Sequence, residues 1–98
     1  MIANGVRGET TATLAGVERR LCLTLGALAE METALGVDGI GALAERLRTL
    51  SARDLTVVLA ALLRGGGEAA PDLAGIAPGE AAHAVARAFA AASGQAGG

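Results

Sequence analysis

The sequence predicts an α+β fold: an N-terminal β-hairpin followed by about four α-helices, in a single domain spanning 1–98 with its core over about 6–92. Two observations carry that prediction. Apolar and polar residues alternate over 6–14 and again over 17–23, on either side of the turn pair Ala15-Gly16, which is the pattern of two half-buried strands joined tightly. From Leu25 onward the apolar spacing changes to three and four, and stops and starts divide the chain into helical segments near 25–35, 39–49, 52–64 and 78–92;.

Met1–Gly5 reads as a frayed end. In the first strand Val6, Gly8, Thr10, Ala12 and Leu14 share one face, and Arg7, Glu9, Thr11 and Thr13 the other;. The return strand puts Val17, Leu21 and Leu23 inward and Glu18, Arg20 and Cys22 outward, with Arg19 at an inward parity near the strand edge. Two strands are not stable alone, so the helices are expected to cover their inner face. Thr24 is placed as the cap of the first helix, whose expected stripe is Leu25, Leu28, Ala29, Glu32 and Leu35, with Glu32 a polar break and Gly36 a left-handed stop;. The stretch 21–36 thus couples the sheet to the helical layer.

Asp38 is expected to cap a second helix with the stripe Ile40, Leu43, Ala44, Leu47 and Leu50 and an outer face of Glu45, Arg46 and Arg48. Ser51 caps the third, with Asp54 completing an approximate capping box. Its stripe is Leu55, Val58, Leu59 and Leu62, widened by Val57 and Leu63 beyond what a surface helix needs;. Arg64 and Gly65–Gly67 read as its end and as a flexible joint. An irregular stretch over 71–77 holds Leu73 and Ile76 in about one helical turn. Pro78 opens the last helix, with Glu80 in the first turn, where a negative charge suits the dipole. Its apolar side is Ala81, Ala82, Val85, Ala88, Phe89 and Ala92, and 93–98 has the composition of a disordered tail;.

Composition narrows the function classes. Hydrophobic residues make up 52% of the chain, but 24 are alanine and one is aromatic, so the core rests on 14 leucines. Such a core is shallow, of the kind a partner surface helps to stabilise. All eight basic residues are arginine and the net charge is −2, which lacks the electrostatic footprint of a nucleic-acid binder;. A single cysteine, Cys22, gives no internal disulfide and no argument for an oxidising compartment;. No signal-peptide run is visible, and the apolar stretch 55–63 is about half the ~20 residues that span a bilayer. The expectation is a soluble, cytoplasmic protein that touches no membrane.

Groups for catalysis are scarce. His83 lies on the polar side of the last helix between Glu80 and Arg87, where it reads as solvated;. No ligand spacing for a metal occurs, and Cys22 reads as an inert apolar residue. Gly65–Gly67 follows a helix and precedes no Lys-Ser or Lys-Thr pair, so it is not a phosphate loop;. Gly36–Gly41 likewise lies between helices, where a dinucleotide fingerprint requires a strand first. Glu30 and Glu32, two apart on a helix, cannot act as a pair. Arg46, Arg48 and Arg53 gather near the junction of the second and third helices, as in a helix-turn-helix, but nothing beyond Arg53 could read base edges;. No enzyme, no cofactor and no metal are therefore expected. The chain does offer spare apolar residues: Val57, Leu63 and Met31 fall beside the expected stripes and are the candidate protein-binding residues, the alternative being that they fill the core.

The local wording carries a resemblance. An RGE start running into the threonine-alternating strand, then RRLCLTLGALAEMETALG, LAERL, SARDLTVVLAALLRGGG and a closing ARAFA, together resemble the small tail-protein family of gene transfer agents and related prophages. Its members are described as tail tube protein or as phage tail assembly chaperone. The resemblance covers about 7–90 and includes no catalytic motif. It implies a chaperone that binds the apolar helices of the tape measure protein and keeps them soluble until the tube polymerises. Tail tube subunits and a second copy of the chain are further candidate partners, and the host-cell cytoplasm is the place of action. A tube subunit, which needs a β-sandwich or barrel, is the second reading; a small helical DNA-binding or regulatory module is the third.

Overall fold

The structure, a computed structural model, describes residues 9–92. The frayed end expected over Met1–Gly5, the strand positions Val6–Gly8 and the tail expected over 93–98 lie outside the described residues. Two strands, β1 (Glu9–Leu14) and β2 (Val17–Cys22), pair antiparallel, and four helices follow: α1 (Leu25–Leu35), α2 (Gly39–Leu47), α3 (Ala52–Gly65) and α4 (Pro78–Ala92). The α+β expectation holds, and the ends of α1, α3 and α4 fall within a residue of their expected places.

The hairpin closes on a two-residue turn in which Ala15 (φ 52°) and Gly16 (φ 83°) are both left-handed, the turn whose twist matches the strands. Ala15 has a Cβ and adopts this region at some cost. Its N–H donates to Glu80 Oε1 at 3.1 Å, which ties the turn to the first turn of α4. The same oxygen accepts from the Ala77 N–H at 3.3 Å, so Glu80 also caps its own helix. The register, Leu14 opposite Val17 through Glu9 opposite Cys22, decides which backbone groups are used. A two-residue turn makes Leu14–Val17 a hydrogen-bonded pair, so Ala12–Arg19 and Thr10–Leu21 are too. The N–H and C=O groups of Glu9, Thr11 and Thr13, and of Glu18, Arg20 and Cys22, therefore point away from the ladder.

On the inner face Ala12, Leu14 and Leu21 are buried, as expected. Val17 is not: it is 58% exposed, although its partner Leu14 across the hairpin is buried. Cys22 was expected to face outward into solvent and is instead buried, because the end of α3 folds over the end of β2. Gly65 and Gly66 make that approach. A Cβ on Gly65 would stand closer than 3.0 Å to the Cys22 carbonyl oxygen, and one on Gly66 closer than that to the Arg20 carbonyl. The hydrogens in those places point at the outward carbonyls of β2, the geometry of weak Cα–H···O contacts. The expected flexible joint is a packed seam.

The helices lie in register with their caps. Thr24 Oγ1 accepts from the Ala27 N–H at 3.0 Å, Gly36 ends α1 at φ 71°, and Ser51 Oγ accepts from the Asp54 N–H at 3.1 Å. The buried side of α1 is Ala27, Met31 and Leu35, with Leu28 partly covered, and Leu25 is 83% exposed. The expected stripe is thus rotated, because leucines and alanines surround this helix and their spacing fixes no phase. Asp38 occupies the N-cap position of α2 without a side-chain bond. Glu32 Oε2 takes that part, accepting from the Gly39 N–H at 2.8 Å, which explains the polar break in α1. α2 ends at Leu47, not near residue 49, and it packs chiefly on α1. Leu43 is its one buried residue, while Ile40 and Ala44, expected inside, are exposed.

α3 is the central element, packed on α1, α4 and β2, and it buries Val58, Leu59, Ala61, Leu62 and Leu63. α4 covers β1 and α3 with Ala81, Ala84, Val85 and Ala88, whereas Ala82 is exposed. Between them the chain makes a single turn, Ile76 N–H to Leu73 O at 3.3 Å, instead of a helical segment, and both side chains pack against the core.

Arg19, at its inward parity, fastens β2 to this connection. Its Nε and Nη2 donate to the two Glu68 carboxylate oxygens at 2.9 and 2.7 Å, and Nη1 to the Asp72 carbonyl at 2.9 Å. The Arg19 guanidinium holds the Glu68 carboxyl below its ordinary value, chiefly through the hydrogen bonds;. That contribution to stability is present above the ordinary carboxylate range and is lost as pH falls through the lowered value. Arg19→Leu is expected to cost about 1 kcal/mol near neutrality, a charge-assisted bond discounted for its partly exposed partner. Urea melts of both chains at neutral pH and in acid check this. The gap should narrow as Glu68 protonates, leaving the share of the bond to the Asp72 carbonyl, and a gap independent of pH would contradict the assignment.

Candidate protein-binding groove

An apolar groove open to a partner lies between α2, α3 and α4. α2 leans on α1 and leaves one side of α4 open. The groove between them has a volume of about 400 Å³ and is floored by Leu47 and Leu50 from the end of α2 and its loop, Leu55 from the start of α3, and Val85 and Phe89 from α4, with Ala82 and Ala86 along its wall. Leu47, Leu50, Leu55 and Phe89 are half-buried, each packed against the core on one side while lining the groove on the other. A second hollow of about 110 Å³ shares Leu55 and extends the apolar face toward Leu73, Ile76 and Pro78.

The sequence shows why α4 can serve both layers. Ala81, Ala84, Val85 and Ala88 make its buried side, and Ala82, Ala86 and Phe89 form the adjacent i, i+4, i+7 row;. The width of the α4 apolar side was the signal, though its alanines look like ordinary core. Leu47, Leu50 and Leu55 read as core stripe, and no spacing rule shows that α2 stops short of α4.

Among the described residues the groove carries one rim charge. Arg48 lines it and is exposed, at 3.6 Å from the equally exposed Glu45, a contact worth little in water. Arg46 is committed to Asp54 at 2.6 Å and holds that carboxyl below its ordinary value, mainly by the hydrogen bond. The arginine cluster of the helix-turn-helix reading is thereby partly neutralised, which weakens any phosphate-binding role.

The three residues expected to bind a partner separate clearly. Met31 and Leu63 are 0% exposed and belong to the core cluster, because α3 packs against α1, α4 and β2 together. That corrects their placement on spare surface. Val57 is half-exposed on α3 and does not line the groove.

The titratable groups are dispersed. His83 is exposed on α4, and Cys22 is buried at the end of β2, where burial and, less, Glu9 push its thiol up, away from the reactive thiolate;. Glu80 is occupied by the hairpin turn and its own helix start. Among the described residues no three His, Cys, Asp or Glu side chains could hold a metal ion, and no helix is long and apolar enough to cross a membrane.

A family profile described as "Phage tail tube protein, GTA-gp10" matches residues 7–95. No curated protein and no solved structure matches the chain. The profile spans both strands and all four helices, including every groove residue. The chain belongs to this phage and gene transfer agent tail-protein family, a structural and non-enzymatic one.

Proposed function

We propose that this protein is a tail assembly chaperone that holds apolar helical segments of the tape measure protein and keeps them soluble until the tube forms around them. The observation that carries the reading is the open groove of leucines, Val85 and Phe89. Its apolar lining suits the apolar face of an amphipathic helix;. Affinity would come from apolar area at roughly 25 cal/mol per Å², before ordering costs, so a few leucine-sized anchors suffice. The family description names a tube protein, which is the second reading. Against a wall subunit built on a β-sandwich stands the two-stranded sheet of the described residues;.

Co-expression with the tape measure protein of the same gene cluster tests the proposal. The tape measure protein should be recovered soluble and in complex only when the chain is present. Ala86→Glu places a charge on the groove wall at an exposed position of α4, in a residue type that favours helix;. It should leave the melting curve within about 0.5 kcal/mol of the parent and weaken the complex at least tenfold. Equal solubility of the tape measure protein with and without the chain would sink the chaperone reading. Stoichiometric recovery of the chain in finished tails would establish the tube subunit in its place.

A further inference from the structure

The two free edges of the hairpin are treated differently. The outward carbonyls of β2 are covered by Gly65 and Gly66. The outward N–H and C=O groups of Thr11 and Thr13 on β1 meet nothing comparable. Among the described residues no hydrogen bond outside the ladder reaches them, and both side chains are exposed. An open strand edge is a template for another strand, and proteins usually guard one with lysine, proline, a bulge or an inward-pointing charge. β1, reading Glu-Thr-Thr-Ala-Thr-Leu, has none of these guards. Its one charge, Glu9, is paired with Arg20 across the hairpin at 2.9 Å.

From this asymmetry we infer that β1 is a self-association edge: it pairs antiparallel with β1 of a second copy, about a two-fold axis at Thr11. The occupant follows from charge and register. In that register Thr11 faces Thr11 of the other copy, and each Glu9 faces a Thr13, so no like charges are opposed and threonine pairs run across the seam;. The outward groups of residues 9, 11 and 13 are then all of the hydrogen-bonding kind, matched with one another. The product is a four-stranded sheet, β2-β1-β1-β2, whose inner faces share one side. Isologous pairing closes on itself and stops at two copies.

The test uses the full chain and two independent readouts. Analytical ultracentrifugation over a concentration series should show a monomer–dimer equilibrium. Amide exchange should show the Thr11 and Thr13 N–H groups gaining protection with concentration, while Thr10, Ala12 and Leu14 are protected throughout by the ladder. Thr11→Pro removes an N–H the hairpin does not use and should raise the dissociation constant at least tenfold. Thr11→Lys, which keeps the backbone, should do the same by opposing two cations. Mixing Thr11→Lys with Thr11→Glu should restore association. A parent chain that stays monomeric at every concentration overturns the inference, whether or not it captures a strand of another protein. So does a dimer indifferent to both Thr11→Pro and Thr11→Lys, or one whose Thr11 and Thr13 amides exchange at the monomer rate.

Discussion

Gly65→Ala should destabilise the protein by about 2 kcal/mol or more, although helix propensity alone predicts the opposite. Exchanging glycine for alanine inside a helix normally gains up to about 1 kcal/mol. At Gly65 the new methyl would meet the Cys22 carbonyl oxygen, and neither is a side chain that can swing away. Relief requires the end of α3 to lift from β2, which uncovers Cys22 and the outward carbonyls of the strand. Overpacking of this kind costs about 1–3 kcal/mol even where side chains can yield, a large share of the roughly 5–15 kcal/mol that holds a domain together. Gly41 supplies the control: it lies in α2 with nothing near its added Cβ, so Gly41→Ala should gain up to about 1 kcal/mol. Urea melts of the two variants should move in opposite directions. A Gly65→Ala chain at or above the parent midpoint would show that the seam is loose.

Leu63→Asp and Met31→Asp should abolish the folded state, which makes them unsuitable probes of partner binding. Both side chains are fully buried in the cluster that joins all six elements. Leu63→Ala alone should cost about 2–5 kcal/mol through lost transfer energy and a residual cavity. A carboxylate there has no partner among buried polar residues, since the described core contains none, and an unpaired buried charge costs more still. Far-UV circular dichroism and a urea melt decide it. A cooperative transition near the parent midpoint for Leu63→Asp would return that residue to the surface and reopen it as a contact. Loss of partner binding in these variants would report unfolding, whereas loss in Ala86→Glu would report the groove.

The parts of this fold legible in the sequence are those decided by local chemistry. Ala15-Gly16, Thr24, Gly36, Ser51 and Pro78 each act within a few residues, and the element ends they mark fall where expected. What the sequence hid is phase. In a chain where leucine and alanine surround most helices, the buried side of α1 is chosen by what α3 presents to it, so Ala27 and Met31 are inside and Leu25 is outside. Cys22 was hidden for a similar reason: the end of α3 reaches over that end of β2, while Val17 at the other end is left exposed. The groove was illegible because its leucines are half core and half surface. Only the distance between α2 and α4, which no spacing encodes, separates those roles.

The contact between the hairpin and α4 also sets an order of events during synthesis. Ala15 and Glu80 are 65 positions apart, and α4 is the helix laid against β1. Until α4 has emerged from the ribosome, Ala12 and Leu14 have no lid and the left-handed Ala15 has no clasp. The nascent chain therefore carries an unfinished hairpin through most of its translation, with α1, α2 and α3 able to gather around Met31 and Leu43 in the meantime. Long-range closure of this kind slows the final step relative to local helix pairing. It also leaves the inner face of β1, Ala12 and Leu14, open to neighbouring chains while the ribosome is still at work;.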